Sequence, residues 1–335
     1  MKNKPSCLII GAGISGLAAA TTLQNAGWAV TVLDKGRGVG GRAATRRFGG
    51  AVFDHGAQYF TVRDERFQAY VDRWLTDGVV TQWADGFPNS DDLTARGSHP
   101  RYRGVNGMTH MAKAMAASLN VHTSTAVERV DYEDGQWRVV ISKPEADDEQ
   151  AFQADTLIMT PPAPQTLALI QAGNVALPSA TTQALQAITF ESNFSVLLLL
   201  DAPSEVPPPG GIFVKPSEPI EWIADNEQKG ISLTPSLTVR TGPSFTQAHY
   251  NDDRDTIALT VIDEVRPYLG QANVISYQVQ RWRYSSPSNQ HPDKTLFVDD
   301  PAPIAFAGDA FGGARVEGAF LSGLAAAQQI DETRQ

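Results

Sequence analysis

The chain lacks the residues that would cross-link it or hold a metal ion. Its 335 residues include one cysteine, Cys7, so no disulfide can form within the chain. This usage favours a cytoplasmic location. The six histidines show no i, i+4 pair and have no clustered acidic neighbours, so we expect no metal site.

Blocks of basic residues and long apolar runs are also lacking. The formal net charge is −10, so neither nucleic acid nor an anionic membrane surface is expected as a partner. No apolar stretch approaches the roughly 20 residues that span a bilayer. Three glycines interrupt the apolar run CLIIGAGISGLAAA near the N-terminus, so we expect it to belong to the folded protein and not to a signal peptide.

Both ends of the chain have the pattern of a parallel α/β unit. Leu8–Ile10, a helix over Ser15–Ala26 and Ala29–Leu33 predict a β-turn-α-β arrangement. Near the C-terminus, a buried strand at Ile304–Ala307 precedes a helix over Val316–Ile330. We therefore expect one dinucleotide-binding domain to be built from both ends.

The middle of the chain predicts a different architecture. Residues 62–83 have a helical pattern, whereas Phe194–Leu200, Ile257–Val261 and Ile275–Arg283 are typical of strands joined by proline-rich loops. The predicted fold class is α/β plus α+β: a Rossmann-type domain of residues 1–65, 100–163 and 286–335, and an antiparallel-sheet substrate domain of residues 66–99 and 164–285. The polar run 143–150 is interpreted as a solvated hairpin tip.

A glycine-rich turn follows the first strand. Gly11-Ala12-Gly13-Ile14-Ser15-Gly16 has the G-x-G-x-x-G spacing between a strand and a helix. Glycines there permit a tight turn, close approach of a pyrophosphate and helix–strand packing, and the helix N-terminus presents free N–H groups. Asp34 ends the second strand, 18 residues after Gly16, where a carboxylate can bind a ribose hydroxyl.

Two further segments favour FAD over NAD. Lys35-Gly36-Arg37-Gly38-Val39-Gly40-Gly41-Arg42 is a second glycine-rich loop suited to another pass over a diphosphate. Gly308-Asp309 and the helix that starts near Val316 lie almost 300 residues away. This segment resembles one in flavoproteins, in which an Asp after the last strand holds the ribityl or phosphate region and the positive end of the following helix stabilises the charge of the reduced flavin. Two distant binding segments fit a long, extended dinucleotide.

Several segments resemble bacterial renalase and its relatives, within the flavin amine oxidase superfamily. They are DHGAQYFTVRD (54–64), RYRGVNGM (101–108), LIMTPPAPQ (157–165), RWRYSSP (281–287) and GARVEGAFLSGLAAA (313–327). The resemblance implies a p-hydroxybenzoate-hydroxylase-like architecture with non-covalent FAD. It also implies oxidation of 2- or 6-dihydropyridine isomers of NAD(P)H, with hydride passing to flavin and then to O2, giving H2O2 and NAD(P)+.

The site residues follow from the motifs and from this resemblance. The residues expected to bind the cofactor are Gly11, Ala12, Gly13, Ser15, Gly16, Asp34, Lys35, Gly40, Gly41, Arg42, Gly56, Ala57, Val127, Gly308, Asp309, Val316 and Glu317. The residues expected to meet the substrate are Gln58, Tyr59, Phe60, Arg103, Trp282 and Tyr284. Arg103 is a candidate for a substrate phosphate. Trp282 and Tyr284 lie two apart, so they share one face of a strand. Ordinary packing or a surface ion pair is the alternative for each.

Other functions stay open at this point. An amine or amino-acid oxidase of the same fold would need an aromatic cage for a neutral amine, whereas a dinucleotide substrate would need a longer cleft lined by arginines. A carotenoid-type desaturase and a flavin-bound module without turnover are further alternatives. No tyrosine is followed four residues later by lysine, which disfavours a short-chain dehydrogenase. The identity of any catalytic acid or base stays open. The sequence has no obvious catalytic dyad, which is compatible with hydride loss from a dihydropyridine, a step that needs no strong general base.

Overall fold

A computed structural model describes residues 4–94, 97, 99–142, 149–214 and 219–334. It divides into two compact units: unit 1 comprises residues 1–41, 112–190 and 286–335, and unit 2 comprises residues 42–111 and 191–285. Compared with the predicted domains, residues 42–65 and 100–111 lie in unit 2, and residues 164–190 lie in unit 1. The predicted hairpin tip at 143–150 lies mostly outside the described residues.

The secondary structure alternates along the chain between strands and helices. The strands are β1 (Ser6–Ile10), β2 (Ala29–Leu33), β3 (Thr45–Phe48), β4 (Ala51–Asp54), β5 (Val80–Ala84), β6 (Arg101–Gly104), β7 (Val121–His122), β8 (Val127–Glu133), β9 (Gln136–Ile141), β10 (Gln150–Ala154), β11 (Thr156–Met159), β12 (Thr189–Leu200), β13 (Gly211–Phe213), β14 (Ile220–Asp225), β15 (Ser236–Thr241), β16 (Val274–Asn289), β17 (Leu296–Val298) and β18 (Ile304–Phe306). The helices are α1 (Ile14–Asn25), α2 (Glu65–Thr76), α3 (Thr109–Ala116), α4 (Ala163–Gln171), α5 (Ser179–Gln186), α6 (Pro243–Ala248), α7 (Arg254–Glu264), α8 (Arg266–Leu269) and α9 (Arg315–Glu332).

Unit 1 contains the predicted parallel sheet. Its strands run in the order β17-β18-β11-β1-β2-β7, and β1 pairs in parallel with both β2 and β11. The sheet therefore joins the first 33 residues to β18 near the C-terminus, through β11, as the apolar patterns predict. A separate antiparallel sheet, β10-β9-β8, packs its Trp137 and Val139 into the same core.

Glycines set the close packing of the first helix. A Cβ on Gly16 would collide with the carbonyl of Gly11, and one on Gly323 of α9 would collide with the carbonyl of Ser15. Gly16 therefore lets α1 pack on the turn that precedes it, and Gly323 lets α9 approach α1 closely. In the described part of the chain, no helix is long and apolar enough to cross a membrane.

Unit 2 is built on an antiparallel sheet of order β13-β14-β15-β12-β16. One face carries Phe194, Ile223 and Val239, which pack with Ile257 and Val261 of α7. Leu197 and Leu199 of β12 instead pack with Ala51 and Phe53 of the β3–β4 hairpin. The alternation of apolar residues between these two cores is that of a sheet covered on both faces.

Two predicted elements were wrong. Ile257–Val261 was expected to be a strand, but it lies within α7, which Asp253 caps by accepting a hydrogen bond from the backbone N–H of Asp255. The buried residues Ile257, Ala258 and Val261 have helical spacing, so the β-branched run was misleading. The helix predicted over 62–83 ends at Thr76, and Gly78, with φ 67°, precedes β5.

Candidate functional site

The first glycine-rich turn lies in unit 1 and has an open space above it. A Cβ built on Gly13 would meet no atom within 4 Å, and helix α1 begins after Gly13 with no side-chain cap. The hydroxyl of Ser15 is buried and, among the described residues, has no hydrogen-bond partner. Uncapped N–H groups and an unpaired hydroxyl beside an open glycine fit the phosphates of a dinucleotide.

The second glycine-rich loop lies against the first. The N–H of Gly40 donates to the carbonyl of Ala12 at 2.8 Å, and a Cβ on Gly41 would stand 3.3 Å from the Cα of Gly13. Gly41 has a φ of 53°, a left-handed conformation that favours glycine. The structure thus brings together, within unit 1, the two loops that the sequence assigned to the cofactor.

Asp34 ties these loops together. One oxygen of its carboxylate accepts from the N–H of Ala12, and the other accepts from the N–H of Gly36, each at 2.6 Å. Lys35 extends away to Gln165, with 3.5 Å between Nζ and Oε1. The predicted contact of Asp34 with a ribose stays a prediction, and it would use the remaining lone pairs of a carboxylate that already organises the turn.

The loop before β8 reaches the same region of unit 1. The N–H of Thr125 donates to the carbonyl of Asp34 at 2.8 Å, and the N–H of Ser124 donates to that of Gly36 at 2.7 Å. Val127, a predicted cofactor residue, is the first residue of β8. These backbone hydrogen bonds join two segments that are about 90 residues apart in the sequence.

The C-terminal segment supplies another turn of unusual backbone. Gly308, with φ 146°, donates its N–H to the hydroxyl of Ser322 at 2.8 Å. Val316 and Glu317 lie in the first turn of α9, and the preceding Arg315 has a φ of 87°. A non-glycine residue in that region is uncommon, and such strain concentrates at functional turns. These features, with the open glycine turn, fit FAD.

Three predicted cofactor residues belong to unit 2. The N–H of Ala57 donates to the carbonyl of Arg42 at 2.8 Å, and a Cβ on Gly56 would collide with that carbonyl. The Arg42 guanidinium approaches the carbonyl of Ser285 at 3.5 Å. Gly56 is therefore required by the protein's own packing, whatever it does for the cofactor.

A buried ion pair joins Asp54, the last residue of β4, to Lys229 and was not predicted from the sequence. Lys229 donates from Nζ to Oδ2 of Asp54 at 2.7 Å, and both side chains are 0% exposed. Oδ1 of Asp54 also accepts from the hydroxyl of Thr45 at 2.6 Å and the N–H of Met108 at 2.8 Å. Burial lowers the pKa of Lys229, whereas the charge of Asp54 raises it. Asp54 and Lys229 are 175 residues apart, so no local pattern could reveal the pair.

His55 is neutral in the folded protein near pH 7. It is 7% exposed, and burial, with a smaller effect of the Arg46 charge, lowers its pKa to about 4 against a weak opposing effect of Asp54. Its ring stacks on Trp282 with centroids 5.4 Å apart, and Trp282 Nε1 donates to the His55 carbonyl at 2.7 Å. Trp282, a predicted substrate residue, thus packs on the segment that holds Gln58.

Tyr59 belongs to an aromatic cluster, which we define as Tyr59, Trp83, Phe87, Phe213 and Trp222. The Tyr59 ring lies 5.1 Å from Phe87 and 5.9 Å from Trp222, and Trp222 lies 4.7 Å from Phe213. The predicted side chains on either side of Tyr59 are also buried. Sequence reasoning found Tyr59 but missed the other members, whose segments carry no motif.

The remaining predicted substrate residues have protein partners. Phe60 is buried and packs on Phe67 and Tyr102, with centroids 5.7 and 5.5 Å away. Arg103 donates from Nη1 to the carbonyls of Gly104 and Val105 at 3.1 and 3.0 Å, and burial lowers its pKa. The Arg283 guanidinium lies over the ring of Tyr284, 5.7 Å from its centroid. Their roles toward a substrate stay predictions.

Comparison with protein families places most of the chain in known models. Residues 81–331 match the model of flavin containing amine oxidoreductases, and residues 9–74 match that of an NAD(P)-binding Rossmann-like domain. The second match covers both glycine-rich loops, and the first contains the aromatic cluster apart from Tyr59.

Curated relatives share short segments with the chain. Polyamine oxidase 4 of Oryza sativa is 49% identical over 55 residues, which are 16% of this chain and 11% of that protein. Carotenoid 3,4-desaturase of Haloarcula japonica is 42% identical over 98 residues, which are 27% of this chain and 20% of that protein. The matched segments thus span at most about a fifth of these relatives.

Solved structures share the whole fold at low identity. Cyclohexylamine oxidase from Brevibacterium oxydans superposes with a TM-score of 0.74 at 14% identity, covering 99% of this chain and 100% of that one. Wild-type putrescine oxidase bound to putrescine superposes with a TM-score of 0.70 at 17% identity, covering 98% and 99%. These likenesses confirm the predicted Rossmann-type domain with an antiparallel-sheet domain.

Proposed function

Because this chain belongs to the flavin containing amine oxidoreductases, a family of FAD-dependent oxidoreductases, we propose that it oxidises 2- or 6-dihydropyridine isomers of NAD(P)H. The dihydropyridine ring loses a hydride and leaves as NAD(P)+. FAD, when bound, accepts the hydride and then transfers two electrons and that hydrogen to O2, which takes one further proton from solvent and leaves as H2O2. The protein's part is to position the ring and exclude water.

One observation carries this proposal: the side chains around Gln58 and Tyr59 are suited to binding and poorly suited to taking a proton. In the described part of this region, His55 is a weak base with a pKa of about 4. Lys229 is held by Asp54. A dihydropyridine gains aromaticity when it loses hydride, and no N–H or O–H proton has to be removed. The reaction therefore matches a region of aromatic rings, an amide, the Asp54–Lys229 ion pair and the Arg101 guanidinium, which lies 5.6 Å from the centroid of the Tyr59 ring.

The alternative is an amine or amino-acid oxidase. Two observations favour it: the aromatic cluster could surround a neutral amine, and two of the solved structures that share the fold are named for amine substrates. Arg103 is the predicted contact for the phosphate of a dinucleotide substrate. Its Nη1 already donates to the carbonyls of Gly104 and Val105. A substrate phosphate would have to be met by its other nitrogens.

The experiment is anaerobic stopped-flow spectroscopy of the FAD-loaded protein at the oxidised-flavin band. The donors are 2- and 6-dihydro-NAD and their NADP forms, ordinary NADH as the isomer control, and a panel of alkyl, aryl and di-amines. Rapid bleaching by a dihydropyridine isomer, with recovery and stoichiometric H2O2 on admission of air, is expected. Bleaching by an amine alone would assign the alternative. Bleaching by no donor would refute both.

A further inference from the structure

Among the described residues of unit 2, six buried side-chain atoms have no hydrogen-bond partner: His55 Nδ1, Gln58 Oε1, Arg103 Nε, His110 Nδ1, Trp222 Nε1 and Arg281 Nε. The amide of Gln58 and the indole of Trp222 are linked to the aromatic cluster. Among the described residues, Gln58 Oε1 and Trp222 Nε1 have no hydrogen-bond partner, and the two residues are 4% and 3% exposed. An unpaired buried polar atom destabilises the folded state, and such atoms are rare in proteins. A ligand with one donor and one acceptor would satisfy both Gln58 Oε1 and Trp222 Nε1.

The hydrogen-bonding role of each atom is fixed. Gln58 Nε2 donates to the carbonyls of Asp54 and Gly56 at 2.6 and 3.1 Å, so both amide protons are used. The amide orientation follows from these bonds, and Oε1 can only accept. Trp222 Nε1 carries one proton and no lone pair, so it can only donate.

A closed path of contacts holds the two residues on the same cluster. Tyr59, the chain neighbour of Gln58, lies 5.9 Å from the Trp222 ring. On the other side, the carbonyl of Asp54 holds Gln58, its carboxylate holds Lys229, and Lys229 Nζ lies 4.8 Å from the centroid of Trp83. Trp83 in turn lies 6.2 Å from Trp222. The acceptor and the donor are thus both linked to the aromatic cluster.

We propose that Gln58 and Trp222 form a carboxamide-binding subsite, in which Gln58 Oε1 accepts a proton from the ligand NH2 and Trp222 Nε1 donates to the ligand carbonyl. A primary carboxamide offers one donor and one acceptor on a flat group, as the pair requires. An ammonium group offers donors only and would leave the indole N–H unpaired. The inference rests on the proposed function and assigns the residues that bind the carboxamide group of the nicotinamide.

The test is a binding measurement that needs no turnover. Calorimetry on the oxidised, FAD-loaded protein compares NAD+ with its 3-acetylpyridine analogue, which lacks the NH2 donor, and its thionicotinamide analogue, whose sulfur is a weaker acceptor. Wild type is expected to bind NAD+ about ten- to a hundredfold more tightly than the acetyl analogue, since a buried acceptor is left unpaired. The thionicotinamide analogue is expected to bind about three- to tenfold more weakly than NAD+.

Two variants assign each preference to one atom. Gln58→Leu should reduce the preference over the acetyl analogue to within about threefold and keep that over the thio analogue, and Trp222→Phe should do the reverse. Matched controls are Gln82→Leu, at an exposed glutamine that donates to Asp85, and Trp74→Phe, at a tryptophan packed on Phe67 in α2. Both controls should keep the wild-type ratios.

The outcomes separate this subsite from the proposed function. Equal affinities for the three dinucleotides, no binding of NAD+, or a preference that persists in Gln58→Leu would overturn the subsite, even if a dihydropyridine isomer bleaches the flavin. The expected ratios without any bleaching by dihydropyridines would keep the subsite and refute the proposed function. If Gln58→Leu does not fold, the wild-type ratios still decide, because the analogues delete the same bonds from the ligand side.

Discussion

Replacing Lys229 with methionine should destabilise unit 2 strongly. The substitution keeps the length of the side chain but removes the charge that pairs with Asp54 at 2.7 Å, where both residues are fully buried. Breaking a buried ion pair from one side typically costs about 3–5 kcal/mol, because the remaining charge has no water to solvate it. Asp54 keeps its hydrogen bonds from Thr45 and Met108, so we expect the lower half of that range, about 3–4 kcal/mol.

The assay is urea unfolding of the FAD-saturated protein, followed by near-ultraviolet circular dichroism. This signal reports the aromatic rings, and Lys229 Nζ lies 4.8 Å from the Trp83 centroid. The matched control is Arg266→Met, which breaks an ion pair of the same 2.7 Å length between side chains that are 71% exposed. Solvent screens that pair, so its loss should be too small to resolve.

A double variant distinguishes an unpaired charge from lost packing. In Asp54→Asn with Lys229→Met neither charge is present, and the asparagine oxygen can still accept from Thr45 and Met108. We expect it to recover at least about 1 kcal/mol relative to Lys229→Met alone. Equal losses in Lys229→Met and Arg266→Met would refute the reasoning, as would a double variant no more stable than the single one.

The remaining predictions concern pH and the cofactor turn. His55 stays neutral in the folded protein but has a pKa near 6.5 when unfolded, so its contribution is complete above pH 6.5 and is lost as the pH falls through about 4. Wild type should lose about 3 kcal/mol over that interval relative to His55→Phe in urea titrations, and parallel pH profiles would contradict this. Gly13→Val should keep the fold, since nothing lies within 4 Å of a Cβ there, but should lose FAD, as judged by flavin absorbance against far-ultraviolet circular dichroism. Gly16→Ala should damage both, because its Cβ collides with Gly11, and a Gly13→Val protein that purifies fully yellow would refute the assignment of the turn.

The parallel unit could be predicted from the sequence because its signals are local. The turn at residues 11–16 is predicted to bind the cofactor through backbone atoms, and such a turn needs glycines at fixed positions between a strand and a helix. The same holds for Gly308, whose φ of 146° favours glycine. Burial on both faces gives most of β1 and all of β18 continuous apolar runs. The strand predicted at Ile257–Val261 failed because β-branched residues also fill the buried face of a helix when the spacing is right.

The ligand-facing chemistry of unit 2 could be predicted only in part, since it depends on side chains from distant segments. The resemblance identified the segment after Asp54 and therefore Gln58 and Tyr59. The resemblance gave no sign of Trp222, which lies in β14, or of Lys229, which lies in the turn after β14. Their relation to Gln58 exists only through contacts that the folded chain creates.

That difference has a consequence for substrate assignment within this family. A backbone-built cofactor turn tolerates almost any sequence between its glycines, so it predicts the cofactor and says little about the substrate. A subsite made of one fixed acceptor and one fixed donor does carry information about the substrate, because a single substitution at Gln58 or Trp222 changes which group can bind. If Gln58 and Trp222 bind a carboxamide, relatives that keep both residues should prefer nicotinamide dinucleotides over amines. Relatives with an apolar residue at the position of Gln58 should show no preference for NAD+ over its 3-acetylpyridine analogue.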